Sequence, residues 1–176
     1  MIEPVVIGLG GNVGTSAEIV ARFGHAREAI ATLGMPGVVR SAPGVVRSAP
    51  LYRSAPIGPA QAAFLNTAVC VGLADGQPAE LIATLLELER ILGRTRETEA
   101  RWGPRRIDLD GLVWGARIIR TPELEVPHPR LAERKFALTP LVALLGEAFA
   151  VPGLATAGEL VRRVAAQECE EIAATW

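Results

Sequence analysis

The order in which two hydrophobic periodicities alternate along the chain is the strongest constraint on its fold. Short apolar runs bounded by Gly or Pro indicate buried strands, whereas apolar residues three or four positions apart indicate helices with one buried face. The runs predict strands at residues 5–9, 45–53, 65–73 and 106–114. The helical spacing predicts helices at residues 16–33 and 78–93.

This β-α-β-β-α-β order predicts a ferredoxin-like sandwich of the α+β class, in which helices pack on an antiparallel sheet. A C-terminal hairpin that opens at Gly115, and helices at residues 132–145 and 157–166, should follow it. Because 176 residues is an ordinary length for one domain, we expect a single domain that spans residues 1–176.

A tandem repeat interrupts the second predicted strand. Residues 37–43 read GVVRSAP, and residues 44–50 repeat them letter for letter, so that the duplication spans residues 37–50. Because side chains alternate along a strand, seven inserted residues would turn every later side chain to the opposite face. We therefore expect the first copy to leave the strand as a loop and the second copy to fill it. A neutral slippage of the gene explains the repeat more simply than a selected role in binding or assembly.

Charge and hydropathy exclude several classes of partner. With 18 basic and 19 acidic residues, the chain lacks the dense positive charge of a general nucleic-acid-binding surface. Its most apolar window, residues 136–157, is interrupted by Pro140, Glu147 and Pro152, which argues against a membrane span. The N-terminus has no signal-peptide pattern, and two cysteines are too few for a disulfide framework. We expect a cytoplasmic monomer.

The segment at residues 101–110, RWGPRRIDLD, carries the strongest chemical signal. Asp108 and Asp110 are two residues apart in a predicted strand, so their carboxylates share one face, with Cα atoms about 6.6 Å apart. Two Mg²⁺ ions about 3.5–4 Å apart would relieve their repulsion and bind phosphate oxygens. Arginines at positions 94, 96, 101 and 105 would meet the remaining phosphate charge. An ordinary exposed strand with Asp–Arg ion pairs is the alternative.

Two further motifs are ambiguous when taken alone. The glycine-rich residues 8–14 suggest an NADP-dependent oxidoreductase, but their spacing misses the dinucleotide-binding pattern by one residue, and no parallel sheet is predicted. His128 lies between two prolines, with Arg130 and Arg134 nearby. It would either pack in a loop or donate to phosphate oxygens together with those arginines.

In chain order, these segments resemble the 6-hydroxymethyl-7,8-dihydropterin pyrophosphokinases of folate biosynthesis. The resemblance runs from residue 5 to about residue 150. It rests on LGGNVG at 9–14, LYRSAPIG at 51–58, FLN at 64–66, RWGPRRIDLD at 101–110 and VPHPR at 126–130, continuing to Phe136. It implies transfer of a pyrophosphoryl group from ATP to the hydroxymethyl group of the pterin, with release of AMP. A module that binds these ligands without turnover is the alternative on the same fold.

The resemblance also implies roles for individual residues. Asp108 and Asp110 would hold two Mg²⁺ ions around the phosphates of the co-substrate ATP, and Trp102 would help to close the site. The implied phosphate contacts are Arg94 and Arg96, on a mobile loop, together with Arg105 and Arg134. Glu89 and His128 match nucleotide-side positions.

At the pterin end, the resemblance implies that Phe64 and Phe136 stack on the ring. The residues implied to read its polar edge or to lie beside it are Ser54, Ile57, Gly58, Asn66 and Trp102. Two positions depart from the family pattern. Gly11 replaces a usual Ser, and Gly111 replaces a bulky apolar residue, which implies a looser wall on the adenine side.

Overall fold

The computed structural model describes residues 2–32, 46–74, 78–95 and 102–176. They form an α+β structure with an antiparallel sheet and helices. The strands are β1 (Ile2–Gly11), β2 (Arg47–Ser48), β3 (Leu51–Ser54), β4 (Phe64–Ala74), β5 (Asp108–Trp114), β6 (Ile119–Arg120), β7 (Glu125–Val126) and β8 (Cys169–Ala173). The helices are α1 (Ser16–Thr32), α2 (Pro78–Ile91), α3 (Lys135–Leu145) and α4 (Ala157–Arg163), with a 3₁₀ turn at Leu131–Glu133.

The main sheet has the strand order β5-β1-β4-β3-β8, and β2 also pairs with β4. All of its pairings are antiparallel. In the register between β1 and β5, Gly8 lies opposite Asp110 and Gly10 lies opposite Asp108. The acidic motif therefore borders a stretch of the central strand that has little side-chain bulk.

Alternation along β1 divides the hydrophobic core between the two faces of the sheet. Val5, Ile7 and Leu9 pack in a cluster with apolar residues of α1 and α2. Val6 points the other way, into a cluster with residues of α3 and α4. Such alternation is the expected pattern for a strand covered on both faces. The C-terminal helices thus cover the face opposite α1 and α2.

The continuous strand predicted at residues 45–53 is wrong, because the structure divides it into β2 and β3. Pro50 has no N–H group to donate to a neighbouring strand, whereas the Ala49 N–H still donates to the Ala68 carbonyl at 2.9 Å. Ser48 pairs with Val69 but Tyr52 pairs with Asn66, so the interrupted strand contains one extra residue. This one-residue shift is a β-bulge.

The second copy of the heptapeptide supplies β2, through Arg47 and Ser48. Ser54 on β3 lies opposite Phe64, so two residues implied for the pterin end are neighbours in the sheet. The first copy, residues 37–43, lies outside the described residues.

The C-terminal region differs from its prediction in three respects. The helix expected at 132–145 is a 3₁₀ turn followed by α3, and α4 ends at Arg163, short of the expected residue 166. Strand β8, which was not predicted, pairs with β3. The Trp176 indole N–H then donates to the Ala49 carbonyl at 2.8 Å. Within the described ranges, no helix is long and apolar enough to cross a membrane.

Candidate active site

A cavity of about 260 Å³ lies where the end of β3, the start of β4 and the start of β5 meet the first turn of α3. The backbone around Gly8 and Gly10 forms part of its wall. The predicted site residues that line it are Ser54, Ile57, Phe64, Asn66, Trp102, Arg105, Asp108, Asp110, His128, Arg134 and Phe136. Folding thus brings together residues that are up to 82 positions apart in the sequence (54 to 136).

The two aspartates of β5 lie on the cavity side of the sheet. Their neighbours on β1 are glycines, and a Cβ atom on Gly10 would lie 3.3 Å from Asn66 Oδ1 and 4.0 Å from the Asp108 Cβ. A side chain at position 10 would therefore enter the space between the amide and the carboxylates. The glycine-rich motif keeps the floor of the cavity open.

Asp108 is neutralised by two arginines. Arg94 Nη1 makes a close ion pair with Asp108 Oδ1, and Arg105 Nη1 lies 3.3 Å from the same oxygen. Arg94 is buried and does not line the cavity. In the structure Arg94 is held against Asp108, and its mobile, phosphate-contacting role stays a prediction. Arg96 and Arg101 lie outside the described residues.

Glu89 supports this arrangement from within the core. Its side chain is 1% exposed, and Oε1 accepts hydrogen bonds from Arg94 Nη1 at 2.6 Å and from the Leu109 N–H at 2.7 Å. Glu89 does not line the cavity, although the resemblance placed it on the nucleotide side. In the structure it links α2 to β5 and holds Arg94 against Asp108.

Asp110 has a different environment from Asp108. Burial, followed by repulsion from Asp108, raises the pKa of Asp110 to about 6. Arg134 Nη1 and His128 Nε2 each lie 3.9 Å from Asp110 Oδ2. At this distance Arg134 offsets the carboxylate charge only in part.

His128 is neutral at physiological pH. Burial, followed by repulsion from Arg134, lowers the pKa of His128 to about 4. Its Nδ1 accepts the Arg130 N–H at 3.0 Å, so the ring proton resides on Nε2, which faces Asp110. Neutral His128 can thus donate one hydrogen bond into the cavity without adding charge. Its lining position favours a polar contact over the loop-packing alternative.

The donor set fits Mg²⁺, provided that a phosphorylated ligand supplies further oxygens. Mg²⁺ prefers oxygen ligands and usually takes only one or two carboxylates, with waters and phosphates completing its shell. A cation bound beside Asp110 would offset its burial and its repulsion from Asp108, the two largest causes that raise its pKa. In the described ranges, no group of three or more His, Cys, Asp or Glu side chains is placed to hold a metal alone.

One hydrogen-bond donor of Arg134, at the charged side of the cavity, has no partner among the described residues. Arg134 Nε is buried and makes no hydrogen bond among the described residues. Burial, the largest cause, lowers the pKa of Arg134, which marks a guanidinium that has lost water. A buried donor without a partner is unfavourable, and an anionic ligand oxygen would satisfy it.

The part of the cavity wall formed by β4 and α3 is aromatic and amide-lined. Phe64, at the start of β4, and Phe136, in the first turn of α3, both line it. Asn66 is buried and donates to the Ser54 Oγ at 2.9 Å. A flat polar ring suits such a wall, because aromatic faces stack on it while the amide reads its edge.

Trp102 lines the cavity with an unusual backbone. Its φ of 67° lies in the left-handed region, which is uncommon for a bulky residue. The Gln61 Nε2 donates to the Trp102 carbonyl at 2.7 Å. Gly58, with φ of +109°, does not line the cavity, but a Cβ there would lie 3.0 Å from the Trp102 Cβ. Gly58 therefore permits the close approach of Trp102.

Asn12 connects the loops that surround the site, and sequence reasoning did not assign it this role. Its Oδ1 accepts the Arg105 N–H at 2.8 Å, while its Nδ2 donates to Gln61 Oε1 and the Ala62 carbonyl, both at 3.0 Å. A polar residue directly after a glycine pair is the sequence signal that marks it. Gln61, in a loop with no motif of its own, has no such signal.

The two departures from the family pattern have different structural settings. A Cβ on Gly11 would lie 2.8 Å from the Arg106 carbonyl oxygen, so this backbone approach needs glycine. A Cβ on Gly111 would meet Leu124 at 3.4 Å and Val126 at 3.6 Å, which is ordinary contact. The first glycine is therefore required locally and the second is not.

Together, these features define an α+β protein with a cavity that is charged at one end and aromatic at the other. A sequence model of the family 7,8-dihydro-6-hydroxymethylpterin-pyrophosphokinase (HPPK) matches residues 6–146. The chain belongs to this family.

Individual relatives agree with the family match. The chain is 40% identical over 139 residues to the 2-amino-4-hydroxy-6-hydroxymethyldihydropteridine pyrophosphokinase of Bacillus subtilis, covering 78% of this chain and 75% of that protein. It is 36% identical over 162 residues to the enzyme of that name from Methylorubrum extorquens, covering 92% and 90%. It is 41% identical over 145 residues to a mitochondrial folate synthesis bifunctional protein of Arabidopsis thaliana, covering 82% of this chain. It spans only 24% of that longer relative.

Solved structures support the fold. The crystal structure of Plasmodium falciparum HPPK-DHPS with pteroate superposes with a TM-score of 0.65 at 12% sequence identity. The match covers 93% of this chain and 42% of that one. At this identity the likeness concerns the fold alone.

Proposed function

We propose that this chain transfers the pyrophosphoryl group of ATP to the hydroxymethyl group of 6-hydroxymethyl-7,8-dihydropterin and releases AMP. The observation that carries the proposal is one cavity with Asp108, Asp110 and Arg134 at one end and Phe64 and Asn66 at the other. Membership of the HPPK family and the names of the bacterial relatives support it.

At the charged end, this chain's residues would bind the triphosphate. Arg105 and Arg134 supply positive charge, and neutral His128 supplies an N–H donor beside Asp110. Asp108 and Asp110 would hold two Mg²⁺ ions. When bound, these ions would neutralise phosphate charge. The unsatisfied Arg134 Nε favours an anionic ligand at this end.

At the aromatic end, Phe64 and Phe136 would stack on the pterin while Asn66 and the segment around Ser54 bind its polar edge. The hydroxymethyl oxygen then forms a bond to the β-phosphorus and loses its proton. The bond from the β-phosphorus to the oxygen bridging to the α-phosphate breaks, and that oxygen leaves with AMP. The protein's contribution is to orient both reactants and to exclude water.

The finer features of the fold and setting are also proposals. The order β5-β1-β4-β3 supports a ferredoxin-like sandwich, with β8 added at its edge. A single-domain, cytoplasmic monomer without nucleic-acid partners remains our prediction.

The test is an AMP-release assay with ATP, Mg²⁺ and the hydroxymethyl pterin. We expect Asp108→Ala and Asp110→Ala each to lower turnover by about 10²–10³-fold, because each removes part of the charge arrangement around the phosphates. Pterin affinity should change by less than about fivefold, since pterin binds at the other end. Glu125→Gln, at a half-exposed carboxylate on β7, is the control and should behave like the wild type.

Three results would contradict the proposal. Near-normal turnover in either aspartate variant would remove the carboxylates from the reaction. Binding of both ligands without AMP release would identify a binding module. Oxidation of a reduced nicotinamide would favour the oxidoreductase alternative.

A further inference from the structure

We propose that Arg130 is a positioning residue that holds the indole of Trp102 at the wall of the cavity. The resemblance implied no role for Arg130, which the sequence alone suggested as a phosphate contact beside His128, and it does not line the cavity itself. The inference deepens the proposed function and rests on it, because it assigns Arg130 an effect on pterin retention through Trp102.

The contact between the two side chains is close. The Arg130 Cζ lies 4.4 Å from the centroid of the Trp102 ring. A guanidinium within about 6 Å of an aromatic face is attracted by the ring's quadrupole, and Trp is the strongest partner. For comparison, Arg27 lies 5.1 Å from the Trp176 ring and Arg117 lies 5.3 Å from the Trp114 ring.

Arg130 is itself held in place from two directions. Its Nε donates to Glu133 Oε2 at 3.0 Å, across the 3₁₀ turn. Its backbone N–H donates to His128 Nδ1 at 3.0 Å. A guanidinium anchored in this way loses less conformational freedom when it stacks on a ring.

The backbone of Trp102 is fixed by a separate set of contacts. Gln61 binds its carbonyl, and Gly58 leaves room for its Cβ. These contacts determine where the chain passes at Trp102. The stacked Arg130 acts on the ring itself and would hold it in the cavity-facing orientation.

This arrangement links two segments that line the cavity. Arg130 belongs to the short segment that also carries His128 and Arg134, whose side chains line the charged end. Trp102 directly precedes the loop that delivers Arg105 and the β5 aspartates. Stacking of Arg130 on Trp102 thus joins the segment before α3 to the segment before β5.

The experiment compares Arg130→Met with the wild type by calorimetry, using the pterin in the presence of Mg²⁺ and α,β-methylene-ATP as an unreactive nucleotide. We expect the pterin Kd to rise about three- to tenfold, the range of a partly exposed cation–π contact. The Kd of the nucleotide and the kcat should stay within about twofold of the wild type, since Arg130 would touch neither the phosphates nor the reacting atoms. Arg130→Lys, which keeps the cation, should recover part of the lost affinity.

Three variants separate this role from a general structural one. On a Trp102→Leu background, Arg130→Met should cause no further loss of pterin affinity, because the interaction partner is absent. Glu133→Gln, which removes only the outer ion pair, should have less effect than Arg130→Met. Arg27→Met removes a comparable stacked arginine from Trp176, at the other end of the chain, and should leave pterin affinity unchanged.

A spectroscopic measurement tests the contact independently of activity. Acrylamide quenching of tryptophan fluorescence should increase in Arg130→Met, and the increase should vanish on the Trp102→Leu background. Unchanged quenching would overturn the inference. An unchanged pterin Kd would also overturn it. A loss confined to nucleotide affinity would overturn it as well and would assign Arg130 to the phosphates. If the wild type neither binds pterin nor releases AMP, the proposed function fails, whereas the quenching result still decides whether Arg130 orders Trp102.

Discussion

Replacing Glu89 by Ala should destabilise the protein strongly, although Glu89 lies outside the cavity. The substitution removes a carboxylate that is 1% exposed and accepts hydrogen bonds from Arg94 and from the Leu109 N–H. Removing one partner of a buried ion pair typically costs about 3–5 kcal/mol, because the remaining charge stays in a poorly solvated place. We expect the free energy of unfolding to fall by about this amount. Glu89→Gln keeps an acceptor for the Leu109 N–H and should cost about 1.5–3 kcal/mol.

Urea denaturation followed by far-ultraviolet circular dichroism measures the effect. With an m value of about 2 kcal/mol/M, the urea midpoint of Glu89→Ala should fall by about 1.5–2.5 M. Glu87→Ala is the matched control on the same helix. The pair of Glu87 with Arg90 is just as short, at 2.7 Å, but its side chains are 54% and 70% exposed. Its loss should therefore leave the urea midpoint essentially unchanged, because solvent screens an exposed pair.

The reasoning would be refuted by a Glu89→Ala variant whose midpoint stays within about 0.5 M of the wild type. A concurrent rise of tenfold or more in the KM for ATP would then place Glu89 on the nucleotide, as the resemblance implied. The predicted loss of stability would instead make Glu89 an internal support for Arg94 and β5.

Two further predictions concern the pH dependence of stability and the two glycines that differ from the family pattern. Because the pKa of His128 is about 4 in the folded protein and about 6.5 when unfolded, its contribution is fully present above pH 6.5 and is lost as pH falls toward 4. Between pH 7 and pH 4.5 the wild type should lose up to about 3 kcal/mol more of its free energy of unfolding than His128→Asn, which lacks the titrating ring. Urea titrations of both proteins at the two pH values, with EDTA present, measure this difference. Equal losses in the two proteins would contradict the prediction. Gly11→Ser should cost about 1–3 kcal/mol because its Cβ would meet the Arg106 carbonyl at 2.8 Å, whereas Gly111→Ala should be tolerated within about 1 kcal/mol; equal midpoint shifts would disprove the distinction.

Features that depend on short-range geometry could be predicted from the sequence. Asp108 and Asp110 both line the cavity because residues two apart in a strand share a face. Phe64 and Asn66, two apart at the start of β4, line the cavity by the same rule. The strand–helix order was also predictable, since buried strands and amphipathic helices have different hydrophobic periods.

Contacts between distant segments could not be predicted in this way. Nothing near Glu89 in the sequence indicates that its carboxylate reaches the Leu109 N–H, 20 residues later. Strand β8 could not be predicted either, because its residues do not alternate clearly between buried and exposed. It is recognisable as a strand only through its pairing with β3.

The sequence by itself determined which chemical groups the chain carries and how neighbouring groups are oriented, because the covalent backbone imposes those periods locally. Only the tertiary structure decided which charges are buried together and which ring Arg130 covers. The physical reason is that desolvation and packing depend on what surrounds a group from every direction, and most of those neighbours are distant in the sequence.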